Sequence, residues 1–96
     1  MGYWSSDLVK GKFGRWLDNN MCTCRKNCRE VADALHLSYN TVRYHRTGER
    51  LPTFPDVVAY CWFFVKQCVP NIGSPEEVWE AVQKDREEFS NESGRK

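Results

Sequence analysis

Hydrophobic side chains recur at steps of three and four residues over the first part of the chain, a spacing typical of an amphipathic α-helix. The stripe consists of Val9, Phe13, Trp16, Leu17 and Met21. We expect this first helix to begin after Ser5 or Ser6, because serine caps helix N-termini and Asp7 follows in the first turn. A loop is predicted over residues 19–27, because Asn20 and the polar run Thr23–Asn27 break the pattern.

Two short helices are expected next, at about residues 28–47, with a tight turn between them at His36. Asn27 and Glu30 have the spacing of a capping box, which marks the start of the first of these helices. Ser38 is the predicted N-cap of the second. The predicted buried positions are Val31, Ala32, Leu35, Leu37 and Val42.

The remaining sequence predicts two more helices. Pro55, in a favoured first position, begins a fourth helix that is apolar on nearly all sides, so we expect it to be buried on most of its surface. Cys61 and Cys68 are expected on one face of it. The residues Ser74–Glu77 are a strong start for a fifth helix at about residues 75–90.

No segment alternates polar and apolar residues as a half-buried strand does, and no internal repeat is present. The predicted fold class is therefore all-α, with five helices in a single domain over residues 1–90 and a flexible tail over residues 91–96. From the length of 96 residues we do not expect a large multi-domain enzyme. Because no apolar run approaches about 18 residues and the first residues do not resemble a secretory signal, we expect a soluble, cytoplasmic protein.

Charge is distributed unevenly along the chain, although the formal net charge is only +1. Residues 1–54 contain nine Lys and Arg against five Asp and Glu, whereas residues 55–96 contain five against eight. A basic half favours a face for a polyanion. Because the excess is small, binding to nucleic acid would need a second copy or well-placed contacts.

The five cysteines are many for a chain of this length. Cys22, Cys24 and Cys28 are weak candidates for a metal site, because only the second spacing fits a zinc knuckle and His36 or His45 would have to be the fourth donor. Reduced, partly buried thiols are the favoured interpretation, since free cysteine behaves as a small apolar residue. We therefore predict no metal and no cofactor, and a metal- or redox-sensing regulator stays a less favoured alternative.

Ala32, His36 and Val42 have the spacing of a DNA-binding helix-turn-helix. A small residue at position 32 lets two helices cross closely, and Val42 fills the angle between them. Position 36 requires a left-handed backbone, which glycine prefers and histidine tolerates better than most residues.

Residues 27–53, with the sequence NCREVADALHLSYNTVRYHRTGERLPT, resemble the Cro/C1-type helix-turn-helix of phage repressors and of the wider xenobiotic-response-element regulators. The segment Thr47–Thr53 is similar to the glycine–basic–proline signature that follows the recognition helix in that family. The resemblance implies a five-helix, lambda-repressor-like DNA-binding domain. Where the family commonly has Gln, Gly, Trp and Glu, this chain has Cys28, His36, His45 and Arg46.

If the third helix enters the major groove, its outer side chains would read base edges and the surrounding ones would bind phosphate. The predicted base-reading residues are Ser38, Tyr39, Asn40, Arg43 and Tyr44. The predicted phosphate-binding residues are Asn27, Arg29, Thr41, Arg46 and Arg50. Asn40 suits an adenine edge and Arg43 a guanine edge, each through two hydrogen bonds. His45 is expected on the inner side as a packed, hydrogen-bonded imidazole, and a merely solvated polar face is the alternative interpretation of the outer residues.

These features predict a transcriptional regulator that binds double-stranded DNA, in the manner of a phage or mobile-element repressor acting as a homodimer on an operator. Catalysis is not expected, because no catalytic set stands out. The predicted dimer surface combines the fourth helix with four residues of the fifth, namely Val78, Trp79, Val82 and Phe89. Packing of this stripe on its own core is the alternative. A protein-binding adaptor or anti-host factor on the same scaffold is the alternative function.

Overall fold

The computed structural model describes residues 9–94 of the chain, and these residues form five α-helices. The helices are α1 (Gly11–Cys24), α2 (Cys28–Leu35), α3 (Tyr39–Thr47), α4 (Phe54–Lys66) and α5 (Pro75–Gly94). No strand occurs in this range, so the all-α class and the five helices are confirmed. None of the helices within it is both long enough and apolar enough to span a membrane.

Helix α1 begins at Gly11, because a carboxylate from the far end of the chain caps it there. The backbone N–H groups of Lys12 and Phe13 each donate to the side chain of Asp85, at 2.8 Å. Asp85 is only 1% exposed, so two N–H groups that a helix start leaves without partners are satisfied inside the protein. Lys10 has extended backbone, so the expected earlier start is wrong at least for the residues adjoining Gly11. Residues 5–8 lie outside the described range.

The predicted loop at residues 19–27 is wrong for its first six residues, which continue α1 to Cys24. Asn20 is 8% exposed and Met21 is fully buried, so the helix extends its buried face through a polar stretch. The helix ends at Arg25, which has a left-handed backbone (φ 60°). The N–H of Lys26 then donates to the carbonyl of Met21 at 3.0 Å, which closes the last turn.

Local capping signals define α2 and α3 as the sequence predicts. Asn27 and Glu30 form the expected capping box, with both hydrogen bonds at 2.9 Å. His36 has the predicted left-handed backbone (φ 59°) and ends α2. Ser38 caps α3 by accepting a hydrogen bond from the N–H of Thr41, so only three residues separate the two helices.

Helix α4 is less buried than its composition predicts. Trp62 is 61% exposed and Val65 is 51% exposed, so one face of this helix meets solvent. Cys61 is buried, whereas Cys68 is exposed and lies beyond the end of the helix with a left-handed backbone. The expectation that the two cysteines share one helical face is therefore wrong, because α4 ends at Lys66.

Helix α5 begins with reciprocal hydrogen bonds between Ser74 and Glu77, as the sequence predicts. It continues to Gly94, so the helix extends into the first four residues of the predicted tail, and residues 95–96 lie outside the described range. Val78 and Val82 are 4% and 0% exposed because they pack into the core of their own chain. These two residues therefore cannot form the predicted dimer surface in this conformation.

The core lies between α1 and the helices that surround it: α1 packs on α3 and α5, and α4 packs on α2 and α5. Its fully buried large side chains include Phe13, Leu17, Val42, Tyr60 and Phe64. Gly14 is needed at the crossing of α1 and α3, since a Cβ there would overlap the carbonyl oxygen of Arg46. The close crossing fixes the position of α3 relative to the rest of the chain.

Candidate nucleic-acid interface

The outer face of α3 carries the side chains that the sequence assigns to base reading. Its exposed members are Ser38, Tyr39, Asn40 and Arg43, and Tyr44 is half-buried. On the opposite face, Val42 has no exposed surface and His45 is 2% exposed. Helix α3 therefore directs a polar face outward while its apolar face is held in the core.

On the inner side of α3, a hydrogen bond made by His45 joins this helix to α4. Its Nδ1 lies 2.7 Å from the hydroxyl of Tyr60, and both residues are buried. Burial lowers the pKa of His45 to about 4, so the imidazole is neutral near pH 7. The prediction of a packed, hydrogen-bonded imidazole is confirmed.

Two arginines lie over tyrosine rings beside the outer face of α3. The guanidinium of Arg29, from α2, is 5.4 Å from the ring centroid of Tyr39. The guanidinium of Arg50, from the loop after α3, is 5.4 Å from the ring centroid of Tyr44. Cation–π attraction restricts where each charge can lie. The structure thus brings two predicted phosphate-binding residues next to two predicted base-reading residues.

Two other predicted contact residues take part in helix caps. The side-chain oxygen of Asn27 accepts the hydrogen bond from the N–H of Glu30. The hydroxyl of Thr41 lies 2.7 Å from that of Ser38 and is half-buried. These side chains stabilise the ends of α2 and α3, and part of their hydrogen-bonding capacity is already used within the protein.

Arg46 is not a surface phosphate ligand, and this prediction is wrong. The residue is 8% exposed, and its Nε donates to Oδ1 of Asp18 at 2.8 Å. Its Nη1 also lies 4.0 Å from the sulfur of Cys28. Although burial lowers the pKa of Arg46, the hydrogen bond and charge of Asp18 outweigh that effect and raise it. The guanidinium is engaged in an internal ion pair between α3 and α1.

Cys22, Cys24 and Cys28 are not grouped as the ligands of a metal ion would be. Among the described residues, no three His, Cys, Asp or Glu side chains are grouped so that they could hold a metal ion. Cys22 and Cys24 are two residues apart on α1, so they point away from one another. Burial raises the pKa of Cys28, and the nearby Arg46 charge only partly offsets this effect. The Cys28 thiol is therefore protonated near neutral pH and unreactive.

The predicted dimer residues that remain partly accessible make contacts within the chain. Trp79 is half-buried, with its ring edge-on to Phe54 at 5.5 Å between centroids. Phe89 is half-buried beneath the ammonium group of Lys10, which lies 5.0 Å from its ring centroid. Trp79 is therefore partly covered within its own chain, because α4 and α5 pack against each other there.

Sequence reasoning missed the two buried carboxylates that position α3 and α1. Asp85 lies at a helical step from Val82, within the apolar stripe of α5. Asp18 directly follows Leu17 of the α1 stripe. A carboxylate at or beside a buried stripe requires a partner, and this signal was present in the sequence although the partner's identity was not.

Comparisons of the chain with protein-family models, with curated proteins and with solved structures find no match.

Proposed function

We propose that this chain is a sequence-specific regulator of transcription that binds double-stranded DNA, with α2 and α3 acting as a lambda-repressor-like helix-turn-helix and α3 in the major groove. It would act as a homodimer on an operator, in the manner of a small repressor of a phage or mobile element. The observation that carries the proposal is the polar outer face of α3, in which Asn40 and Arg43 are exposed while Val42 is buried behind them.

The chemistry of this face suits base edges. Asn40 has the donor and acceptor that bind adenine, and Arg43 has the paired donors that bind guanine. Both lie on the first two turns of α3, the part of a recognition helix that contacts bases. The polar outer face of α3 thus offers two side chains of the types that discriminate between base pairs.

Two flanking cations supply the sequence-independent part of the interaction. Arg29 and Arg50 are exposed and lie beside the outer face of α3, each over a tyrosine ring. Arginines beside a recognition helix bind phosphate groups and so set the register of the protein on the duplex. Because one copy offers few such cations, two copies on adjacent half-sites would be needed for tight binding.

The test is selection of bound fragments from random duplex DNA, followed by affinity measurements on the enriched sequence. Arg43→Ala should weaken binding by about 5- to 150-fold and relax the preference at one base pair, since a bidentate base contact contributes roughly 1–3 kcal/mol. Lys84→Ala is the matched control, because it removes one exposed positive charge from α5, which packs on α1 and α4.

Two results would overturn the proposal: no sequence enriched over the starting pool, or equal affinities for the Arg43→Ala and Lys84→Ala variants. A titration with salt adds an independent readout. The logarithm of the DNA-binding constant should fall linearly with the logarithm of salt concentration, because bound phosphates release counterions.

A protein-binding adaptor on the same scaffold is a second candidate function, favoured by the exposed Trp62 and Val65 on α4. An interface built on these apolar side chains would respond little to salt. The salt titration therefore separates the two functions.

A further inference from the structure

We infer that the exposed side of α4 around Trp62 is a self-association surface that binds the same side of a second copy of this chain. We call it the Trp62 surface: Trp62 and Val65, the two grooves beside them, and the charged residues Lys66 and Glu76. The inference names the contact through which the proposed repressor would form its dimer. Self-association can be measured without DNA, so its failure and the failure of the proposed function are distinguishable.

The centre of the surface is apolar and strongly exposed. Trp62 and Val65 have the largest exposed fractions among the large hydrophobic side chains of the described residues, at 61% and 51%. They are three residues apart on α4, so they lie on one face of the helix. A tryptophan buries roughly 150–250 Å² when it enters an apolar site, which makes it a typical anchor of a protein interface.

Trp62 stands between two shallow grooves. The smaller groove has a volume of about 160 Å³ and is also lined by Cys61, Ile72 and Pro75. The larger groove, of about 390 Å³, is also lined by Leu35 and Phe63. The surface therefore offers both a projecting indole and concave apolar sites beside it. In a two-fold interface, each residue contacts its counterpart's neighbours reciprocally, so each Trp62 can fill a groove of the other copy.

Two residues of opposite charge lie on opposite sides of Trp62. Lys66 lines the larger groove, whereas Glu76 follows Pro75 at the smaller one. The position of Glu76 is also evident at Cys61, whose pKa is raised to about 11 by burial and by the charge of Glu76. A two-fold axis near Trp62 brings the basic side of one copy against the acidic side of the other. This complementarity between the two ends of one patch favours a second copy as the occupant.

The location of the surface leaves the DNA-binding face free. The residues that line its two grooves come from α2, from α4 and the residue after it, and from residues 72–75 at the start of α5, and none of them belongs to α3. On α2 the lining residues are Ala34 and Leu35, near the end of the helix, whereas Arg29 is near its start. Two associated copies could therefore each present an α3 helix.

The experiment is analytical ultracentrifugation of the full chain without DNA, from about 1 to 500 µM. The wild-type chain should show a reversible monomer–dimer equilibrium. Trp62→Ala should raise the dissociation constant about 30-fold or more, as expected for an interface anchor. Tyr39→Ala is the matched control, because it removes an exposed aromatic side chain from α3 and should leave the dissociation constant within about twofold of the wild type.

Charge reversal tests whether the partner is a second copy. Lys66→Glu and Glu76→Lys should each raise the dissociation constant about 3- to 10-fold, since each places like charges together at the interface. The variant carrying both changes should return to within about twofold of the wild type, because the attraction is restored with exchanged signs. This rescue requires residues 66 and 76 of two copies to face each other.

A wild-type chain that is monomeric at 500 µM would overturn the inference, even if the DNA selection succeeds. A dimer that is unchanged in the Trp62→Ala variant would also overturn it, as would a double charge variant weaker than both single variants. Thermal unfolding of each variant checks that the fold is retained, and a folded Trp62→Ala monomer supports the inference.

Discussion

The guanidinium of Arg46 and the carboxylate of Asp18 form an ion pair that joins the last turn of α3 to the middle of α1. The Nε–Oδ1 distance is 2.8 Å, and the two side chains are only 10% and 13% exposed. Removing one partner of a buried ion pair destabilises the fold, because the other charge is then buried and uncompensated. The pair therefore helps to hold α3 in its observed position.

Replacing Asp18 by leucine should reduce the free energy of unfolding by about 3–5 kcal/mol, the usual cost of leaving a buried charge without its partner. Urea unfolding followed by circular dichroism measures this change. Asp33→Leu is the control, because Asp33 is an exposed carboxylate on α2 and its loss should change stability by about 0.5 kcal/mol or less.

Combining Asp18→Leu with Arg46→Met should recover much of the lost stability, since an apolar pair can replace a buried ion pair at little cost. A double variant whose loss equals the sum of the two single losses would show that the residues do not interact in this way.

His45 should make the protein less stable in acid. Its pKa is about 4 in the folded state, against 6.5 for an ordinary histidine, because the ring is buried. Below pH 6.5 the unfolded chain takes up a proton that the folded chain does not, so stability falls as pH falls from 6.5 towards 4. Between pH 7 and pH 5 this effect amounts to about 2 kcal/mol.

Urea unfolding of wild type and of a His45→Gln variant at pH 7 and pH 5 checks this prediction. The variant should be less stable at pH 7, and its stability should change less between the two pH values. His36→Asn is the control, because it replaces an exposed histidine by a residue that tolerates the left-handed backbone. An equal pH dependence in wild type and His45→Gln would contradict the assignment.

Signals confined to a few residues made α2 and α3 predictable. The pair Asn27 and Glu30 caps one helix, Ser38 caps the other, and each hydrogen bond spans only three residues. The start of α1 was not predictable in this way. It depends on Asp85, which is 73 residues from Lys12 in the chain, and the residues near Lys12 do not predict such a contact.

In the candidate interface, too, features set by nearby residues were predictable, whereas a contact between distant residues was not. The outward face of α3 follows from its apolar stripe, since the positions opposite a buried Val42 must face solvent. The sequence assigns Arg46 to phosphate, because arginines beside such a face commonly bind it. Its real partner, Asp18, is 28 residues earlier, and only the crossing of α1 and α3 brings the two together.

Gly14 provides a test of that crossing. Replacing a glycine within a helix by alanine ordinarily stabilises it by about 1 kcal/mol. Here the added Cβ would overlap the carbonyl oxygen of Arg46, and backbone atoms cannot move aside cheaply. We therefore expect Gly14→Ala to reduce the free energy of unfolding by about 1–3 kcal/mol. Asn19→Ala, at an exposed position of the same helix, should be neutral or stabilising, and a Gly14→Ala variant as stable as wild type would contradict the close crossing.

If the chain binds DNA as proposed, Tyr39 should affect that binding through Arg29, because its ring lies beneath the guanidinium. Tyr39→Leu removes the cation–π attraction, worth about 0.5–1 kcal/mol at an exposed site, so we expect affinity to fall about two- to fivefold. Tyr39→Phe keeps the ring face and should bind almost as well as wild type. The effect should disappear when Arg29 is already alanine. The Arg29→Ala change alone should reduce the slope of the logarithm of the DNA-binding constant against the logarithm of salt concentration by about one, the contribution of one phosphate contact. If Tyr39→Phe is as impaired as Tyr39→Leu, the hydroxyl is the group that matters, and Tyr39 contacts DNA directly instead of holding Arg29.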